Sequence, residues 1–322
     1  MGGSQTLLTG ATGFVGRILY PALVATGHEV RSTARSPSRA RADCAGEPER
    51  PWVRLDLDEP STLAPALDGC ATAYFLIHGL GEGDDYPERE AKGAEAFLRA
   101  AEGAGVERIV YLGGVQPTGP ASRHLASRTR TGEILRSGRV TTLELRAAMI
   151  MGAGSASWRI TVQLARRLPA MLLPRWLESR SWPVLVDDII VALVAAARLP
   201  VDGSTVFEVP GAERLSHREC LERVAKALGS VPTMVRVPVL TPRLSSYWIA
   251  LVTGVSLAVA RELVEGLRSD LDPTGVSIWD RLETAPTGFD EAVRRVLEDE
   301  RTGPEPAVER IVERLAALPE TA

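Results

Sequence analysis

The chain has 322 residues, 45% hydrophobic and 24% charged, which is ample for a buried core divided over one large or two moderate domains. Its formal net charge of −4 excludes the basic footprint expected of a nucleic-acid-binding protein. Cys44, Cys70 and Cys220 lack C-x-x-C spacing and cannot all pair with one another. This argues against a disulfide framework or a cysteine-built zinc site, and the expected setting is a reducing cytoplasm with no signal peptide. Lys92 and Lys226 are the only lysines, so arginine carries nearly all the positive charge and few positions offer a titratable amine.

In chain order, short β-rich runs alternate with helical patterns. Gln5 to Thr9 reads as a strand and Phe14 to Thr26 as a helix; Glu29 to Thr33 and Trp52 to Leu55 are the next strands, with a helix from Ser61 to Leu67. Ala73 to Ile77 is a fourth strand, followed by an amphipathic helix from Pro87 to Glu102. Arg108 to Leu112 is a fifth, followed by a helix from Ser122 to Ser137, and Thr142 to Arg146 is a sixth. Six strands with crossover helices predict an α/β fold, a Rossmann-type doubly wound parallel sheet over residues 1–151.

Beyond residue 151, proline-punctuated apolar helices are expected at Ile160 to Leu173, Ile189 to Ala197, Leu215 to Leu228 and Tyr247 to Leu267. Residues 152–322 therefore read as a smaller, mainly helical substrate-binding lobe with a loosely docked carboxyl-terminal cap, residues 184–206 or so returning to the first domain. Asp187 and Asp188 are expected to cap the helix that follows them. Leu244 to Ala260 is free of charge, but its small polar residues argue against stable membrane insertion.

Thr9-Gly10-Ala11-Thr12-Gly13-Phe14-Val15-Gly16 sits where the first strand turns into the first helix. Glycine at positions 10 and 13 lets backbone turn and approach a pyrophosphate, glycine at 16 lets helix and sheet pack closely, and the helix N-terminus supplies free N–H groups. In this strand–turn–helix setting the pattern predicts dinucleotide binding. An NAD site usually carries an acidic residue about 20 positions on, to hold the ribose 2′-hydroxyl. Here no carboxylate stands between Glu29 and Asp43, and Arg35 and Ser36 occupy the end of the second strand. A guanidinium suits a 2′-phosphate, so NADP(H) is expected over NAD(H). Asp56, beside Leu57, is the expected acceptor for the adenine amine, while Asp58 reads equally as a helix cap.

With these motifs, the chain resembles extended or atypical short-chain dehydrogenases/reductases. The resemblance rests on the glycine motif, Asp56-Leu57, the run from Gly105 to Gly113, and Phe207-Glu208-Val209-Pro210-Gly211. The runs from Tyr74 to His78, from His124 to Arg128 and from Thr241 to Trp248 are similar to an atypical NAD(P)H-binding branch, itself similar to NmrA-like proteins and the accessory subunit of respiratory complex I. That family's usual engine is a tyrosine followed four residues later by lysine, with a serine or threonine on the preceding strand end. None of the five tyrosines precedes a lysine at that distance, and Gly113-Gly114 occupies the serine's place.

His124 and Arg128 stand on the fifth crossover helix at the corresponding spacing. An imidazolium could protonate a developing alkoxide, although a guanidinium one turn away favours the neutral ring. Arg128 could instead hold the nicotinamide ribose or an oxyanion. The resemblance also places Ile77, His78, Gly113, Ala147 and Met149 beside the coenzyme, and His78, Tyr86 and Trp158 are further candidates for contact with an apolar substrate. Arg146 reads as half of a strand-end ion pair. His28, at a strand entry, and His217, at a surface-like helix start, are not expected to be ligands, and no metal site is foreseen.

Together these residues suggest an NADPH-dependent reductase of a C=O or conjugated C=C bond in an apolar small molecule. A non-catalytic NADP(H)-binding sensor or assembly protein, or a redox-neutral isomerase or dehydratase, remains open, and a homodimer is compatible with either.

Overall fold

The computed structural model describes residues 5–47, 49–79, 83, 85–167, 170–173, 175–230, 233–236, 242–303 and 305–319. It opens with β1 (Gln5–Leu8), α1 (Phe14–Ala25), β2 (Val30–Ala34), α2 (Pro37–Asp43), β3 (Trp52–Arg54), α3 (Leu63–Leu67), β4 (Cys70–Phe75), α4 (Tyr86–Gly103), β5 (Arg108–Gly114), α5 (Arg123–Arg136) and β6 (Thr141–Ala147). Ile109, Val110, Tyr111 and Leu112 are all buried, as a central strand covered on both faces requires. Ile18, Leu19, Ala22 and Leu23 of α1 fall at helical spacing and pack onto the sheet.

The remaining elements are β7 (Ile150–Met151), α6 (Ala156–Arg167), β8 (Ala170–Leu173), β9 (Arg180–Ser181), β10 (Val184–Leu185), α7 (Val186–Ala196), β11 (Thr205–Glu208), β12 (Leu215–Ser216), α8 (His217–Ala227), β13 (Thr233–Arg236), α9 (Pro242–Thr253), α10 (Leu257–Gly266), α11 (Ile278–Arg281), α12 (Phe289–Thr302) and α13 (Glu305–Ala316). The main sheet has seven strands in the order β11-β6-β5-β4-β1-β2-β3. Its pairings are parallel, and β11 adds the strand that the sequence pattern did not supply by pairing with β6. The chain reverses its direction of winding between β1 and β4, which opens a crevice at the carboxyl ends of the strands, where open α/β sheets bind ligands.

Between β10 and β11 the chain returns to this sheet. Every residue of α7 is buried, and the helix belongs to the same apolar cluster as α1, β5 and β6. Asp187 and Asp188 do not cap α7; the capping position is Leu185, without a side-chain bond. Both carboxylates are instead fully buried against α13, where Arg310 Nε donates to Asp187 Oδ2 at 2.8 Å and Arg314 pairs with Asp188. Arg310 also meets Asp299 at 2.8 Å, while Thr287 N donates to Asp188 at 3.0 Å. The carboxyl-terminal segment is thus firmly seated, with Ile311 fully buried, rather than loosely docked. The physical reason is that arginines four residues apart project from one helix face onto adjacent acids of another.

A second cluster of α6, α8 and α12 holds Trp158, Val162, Leu221, Val224, Phe289 and Val296. The expected helix Ile160 to Leu173 is instead α6 plus β8, and that from Leu215 to Leu228 begins as a two-residue strand. Tyr247 to Leu267 breaks at Gly254, whose φ of 69° a helix cannot accommodate, and becomes α9 and α10. Among the described residues, no helix is long and apolar enough to cross a membrane.

Candidate functional site

The turn after β1 is built by atoms that are mostly already bonded. Thr9 Oγ1 donates to the Tyr74 carbonyl at 2.9 Å and accepts from Leu76 N at 3.0 Å, tying β1 to the loop after β4. Gly10 has φ of 64°, and a Cβ there would lie 2.9 Å from the Leu76 oxygen. A Cβ on Gly16 would strike the Gly10 carbonyl. Side chains at these positions would fill the cradle or force helix and strand apart, so backbone alone lines it. Gly10, Thr12 and Gly13 border a groove of 330 Å³ that runs past Ala34, Arg35, Asp56, Leu57 and Ile77. This geometry fits the diphosphate and adenosine of a dinucleotide, with a guanidinium rather than a carboxylate at the end of β2.

Not every expected residue reaches the groove. Thr9 and Ala11 are buried beneath it, Thr9 as a tether and Ala11 as packing. Ser36 caps α2, accepting from Arg39 N, and does not border the groove. Asp56 borders it, and its carboxylate accepts from Asp58 N at 3.1 Å; the capping positions of the helical turns that follow are Glu59 and Thr62, so Asp58 caps neither. Arg50 is a support that the motif did not reveal: it is buried, donates to the Ala11 carbonyl at 3.3 Å and stands 4.3 Å from the centre of the Tyr20 ring.

Gly10, Gly13, Leu76 and His78 line both this groove and an adjoining cavity of 510 Å³. Phe14, Val15, Gly16, Gly113, Ala147, Met149, His78, His124 and Arg128 border it on the sheet side, and residues of α6, α8, α9 and α10 border it on the other. A serine at position 113 is sterically blocked, because its Cβ would lie 2.8 Å from Glu144 Oε1. Glu144 is fully buried and paired with both Arg136 and Arg146 at 2.8 Å, so Arg146 is indeed half of an ion pair, though one inside the sheet.

α5 starts where Ser122 Oγ accepts from Leu125 N, and this fixes the phase that aims His124 and Arg128 into the cavity. Arg128 donates to the Leu112 carbonyl and stands 5.6 Å from the centre of the Tyr111 ring. The His78 and His124 rings meet edge to face at 6.2 Å. Burial, then Arg128 and His78, push the His124 imidazole down to about 3. Burial and the neighbouring guanidinium thus disfavour an imidazolium acid in this cavity, where Nδ1 is buried and unpartnered among the described residues.

Trp158 does not reach the cavity. It is 0% exposed in the second cluster, and its indole donates to Glu300 at 2.9 Å, which makes it core. Tyr86 borders the groove rather than the large cavity, and its hydroxyl meets Glu262 of α10 at 3.4 Å. Arg123 of α5 also binds Glu262, at 2.6 Å, so three elements join across the cleft. His217, expected to lie at a surface-like helix start, is buried in the cavity wall, as is Ser181. No group of residues suited to hold a metal ion occurs among the described residues.

Residues 10–148 match the family described as NAD(P)H-binding. A ceramide reductase of Caulobacter vibrioides is 29% identical over 287 residues, spanning 83% of this chain and 85% of that protein. A Mycobacterium tuberculosis 3β-hydroxysteroid dehydrogenase/Δ5→4-isomerase is 34% identical over 117 residues, or 33% of this chain and 30% of that one. The structure of a Citrobacter triphenylmethane reductase complexed with NADP(H) superposes with a TM-score of 0.71 at 15% identity, covering 91% of this chain and 99% of that one. At that identity the likeness speaks for the fold alone.

Proposed function

We propose that the chain, whose residues 10–148 match the family described as NAD(P)H-binding, is an NADPH-dependent reductase of apolar small molecules. The observation that carries this reading is the adjacency of two spaces: a glycine-lined groove bordered by Arg35 shares Gly10, Gly13, Leu76 and His78 with an apolar cavity bordered by His124 and Arg128. Reductases among the relatives, including the Caulobacter ceramide reductase, support the reaction type.

Gly10, Gly13 and the N-terminus of α1 would hold the diphosphate, Arg35 the 2′-phosphate, and Asp56 the adenine amine. Gly113, Ala147 and Met149 would border the nicotinamide, which supplies hydride when bound. Arg128, anchored to the Leu112 carbonyl, would keep a fixed positive charge beside the reacting oxygen. A neutral His124 can polarise a carbonyl by hydrogen bonding but is a poor source of a proton for an alkoxide. Reduction of a C=C bond conjugated to a carbonyl suits this pair better than reduction of a simple ketone, because the negative charge then develops on a delocalised enolate.

The test is NADPH oxidation with matched apolar enones and ketones, alongside titration of both coenzymes. NADPH should bind more tightly than NADH, and Arg35→Ala should weaken NADPH by about ten-fold while leaving NADH nearly unchanged. Enones should turn over faster than the corresponding ketones, and His124→Ala should lower kcat more than it changes KM. Tight NADPH binding without oxidation across the panel would favour a coenzyme-binding sensor instead.

A further inference from the structure

We propose that Ser181 and His217 form a second polar subsite in the apolar cavity, one that selects substrates carrying a neutral hydrogen-bonding group remote from the reducible bond. The identity of the cavity as a substrate site rests on the reductase reading above; the subsite itself rests on the following geometry.

Ser181 is the last residue of β9 and His217 the first of α8. Ser181 is 0% exposed and His217 7%, yet both border the cavity. Neither Ser181 Oγ nor His217 Nε2 has a hydrogen-bond partner among the described residues. The backbone holds them on one small ribbon: Leu215 of β12 pairs with Ser181, and His217 N donates to the Ser179 carbonyl at 3.2 Å. Around them the wall is apolar, with Leu177, Cys220, Leu221, Leu267 and Leu271. Buried polar atoms are nearly always bonded, because leaving one unmade in such surroundings is costly. Two residues with such atoms, one ending β9 and one opening α8, border the same cavity, and a ligand that reaches them there would complete their bonding.

The chemistry of the pair limits what it accepts. Burial holds the His217 imidazole down at about 4, against a smaller opposing pull from Asp270, so near pH 7 it offers one N–H and one lone pair. A serine hydroxyl also both donates and accepts. Among the described residues that line the cavity, the fixed positive charge is Arg128, which belongs to the α5 side rather than to this wall. A carboxylate would lose its hydration here without gaining a counter-charge. A ketone, hydroxyl or amide keeps its bonding, and the substrate class is therefore an apolar molecule with two separated polar functions.

The experiment measures binding to the NADP⁺-loaded protein by calorimetry, using ligands with no oxidisable alcohol. One pair is androstenedione and its analogue lacking the ketone on the five-membered ring. The other is a medium-chain methyl ketone and the diketone with a second carbonyl at the far end. In at least one pair the dicarbonyl should bind about ten-fold more tightly, as expected when a ligand satisfies buried polar atoms. The Ser181→Ala/His217→Phe double variant should lose that preference and still bind the monocarbonyl, whereas His217→Gln should retain it. Equal affinities in both pairs, a preference surviving in the double variant, or no binding of any ligand overturns the subsite. NADPH oxidation with the monocarbonyl compounds separately reports whether the reductase reading stands.

Discussion

The glycine cradle and the far wall of the cavity handle their polar groups in opposite ways. In the cradle, Thr9 is bonded on both sides, Arg50 braces the Ala11 carbonyl, and the surface left open is backbone. In the far wall, Ser181 and His217 are buried with atoms left unbonded, surrounded by leucines. The first arrangement is rigid and accepts one kind of group, a diphosphate presented to a helix N-terminus. The second tells ligands apart only by what they bring. Between them α10 is fastened to α4 and α5 by Glu262, so the adaptable wall is carried against a fixed one.

The largest effect expected lies in the fixed part. Arg310→Ala leaves Asp187 buried beside Asp188 and Asp299 without its principal partner, which should cost about 3 kcal/mol. Urea unfolding checks this, and a loss under ~1 kcal/mol would mean that the carboxyl-terminal helix is not the clamp described. The next effect is on binding. Gly16→Val should weaken NADPH about 100-fold, roughly 2.7 kcal/mol, because its Cβ meets the Gly10 carbonyl. Circular dichroism should show the fold retained, and undiminished affinity would break the assignment of the cradle.

The smallest effect is one of pH and belongs to the histidines on the two sides of the cavity. His217 and His124 have values lowered by burial, so the unfolded chain binds protons on them more readily than the folded one. Their contribution is fully present above the unfolded value near 6.5 and is lost progressively as pH falls toward 4. For His217 alone the loss should be on the order of 1 kcal/mol at pH 5.5, above the range in which most carboxylates titrate. Denaturation midpoints measured from pH 8 to 5 should fall only at the acid end, and less steeply in His217→Gln. An unchanged profile in that variant would show the ring to be hydrated rather than buried.

Much of the nucleotide half was legible because its signals are local. Thr9 to Gly16 spans eight positions in which glycine spacing, strand end and helix start coincide. The strands declared themselves by β-rich runs between turns, and β11 escaped because it follows a lobe of different character before pairing with β6. The site was legible where it followed that frame, as for His124 and Arg128 one helical turn apart. It was misread where a partner lay far along the chain: Trp158 is held by Glu300, and Asp187 by Arg310. His217 looked like a surface residue because nothing nearby announces that α6 and α12 pack against α8.

By itself, the sequence determined the doubly wound sheet, the glycine cradle and the absence of a tyrosine–lysine pair, since each follows from residue types at short separations. No stretch of sequence shows that the last helix clamps α7, that burial lowers the His124 imidazole, or that Ser181 and His217 border one cavity. Burial and charge pairing are properties of neighbours in space, and a partner such as Arg310 for Asp187 lies far along the chain.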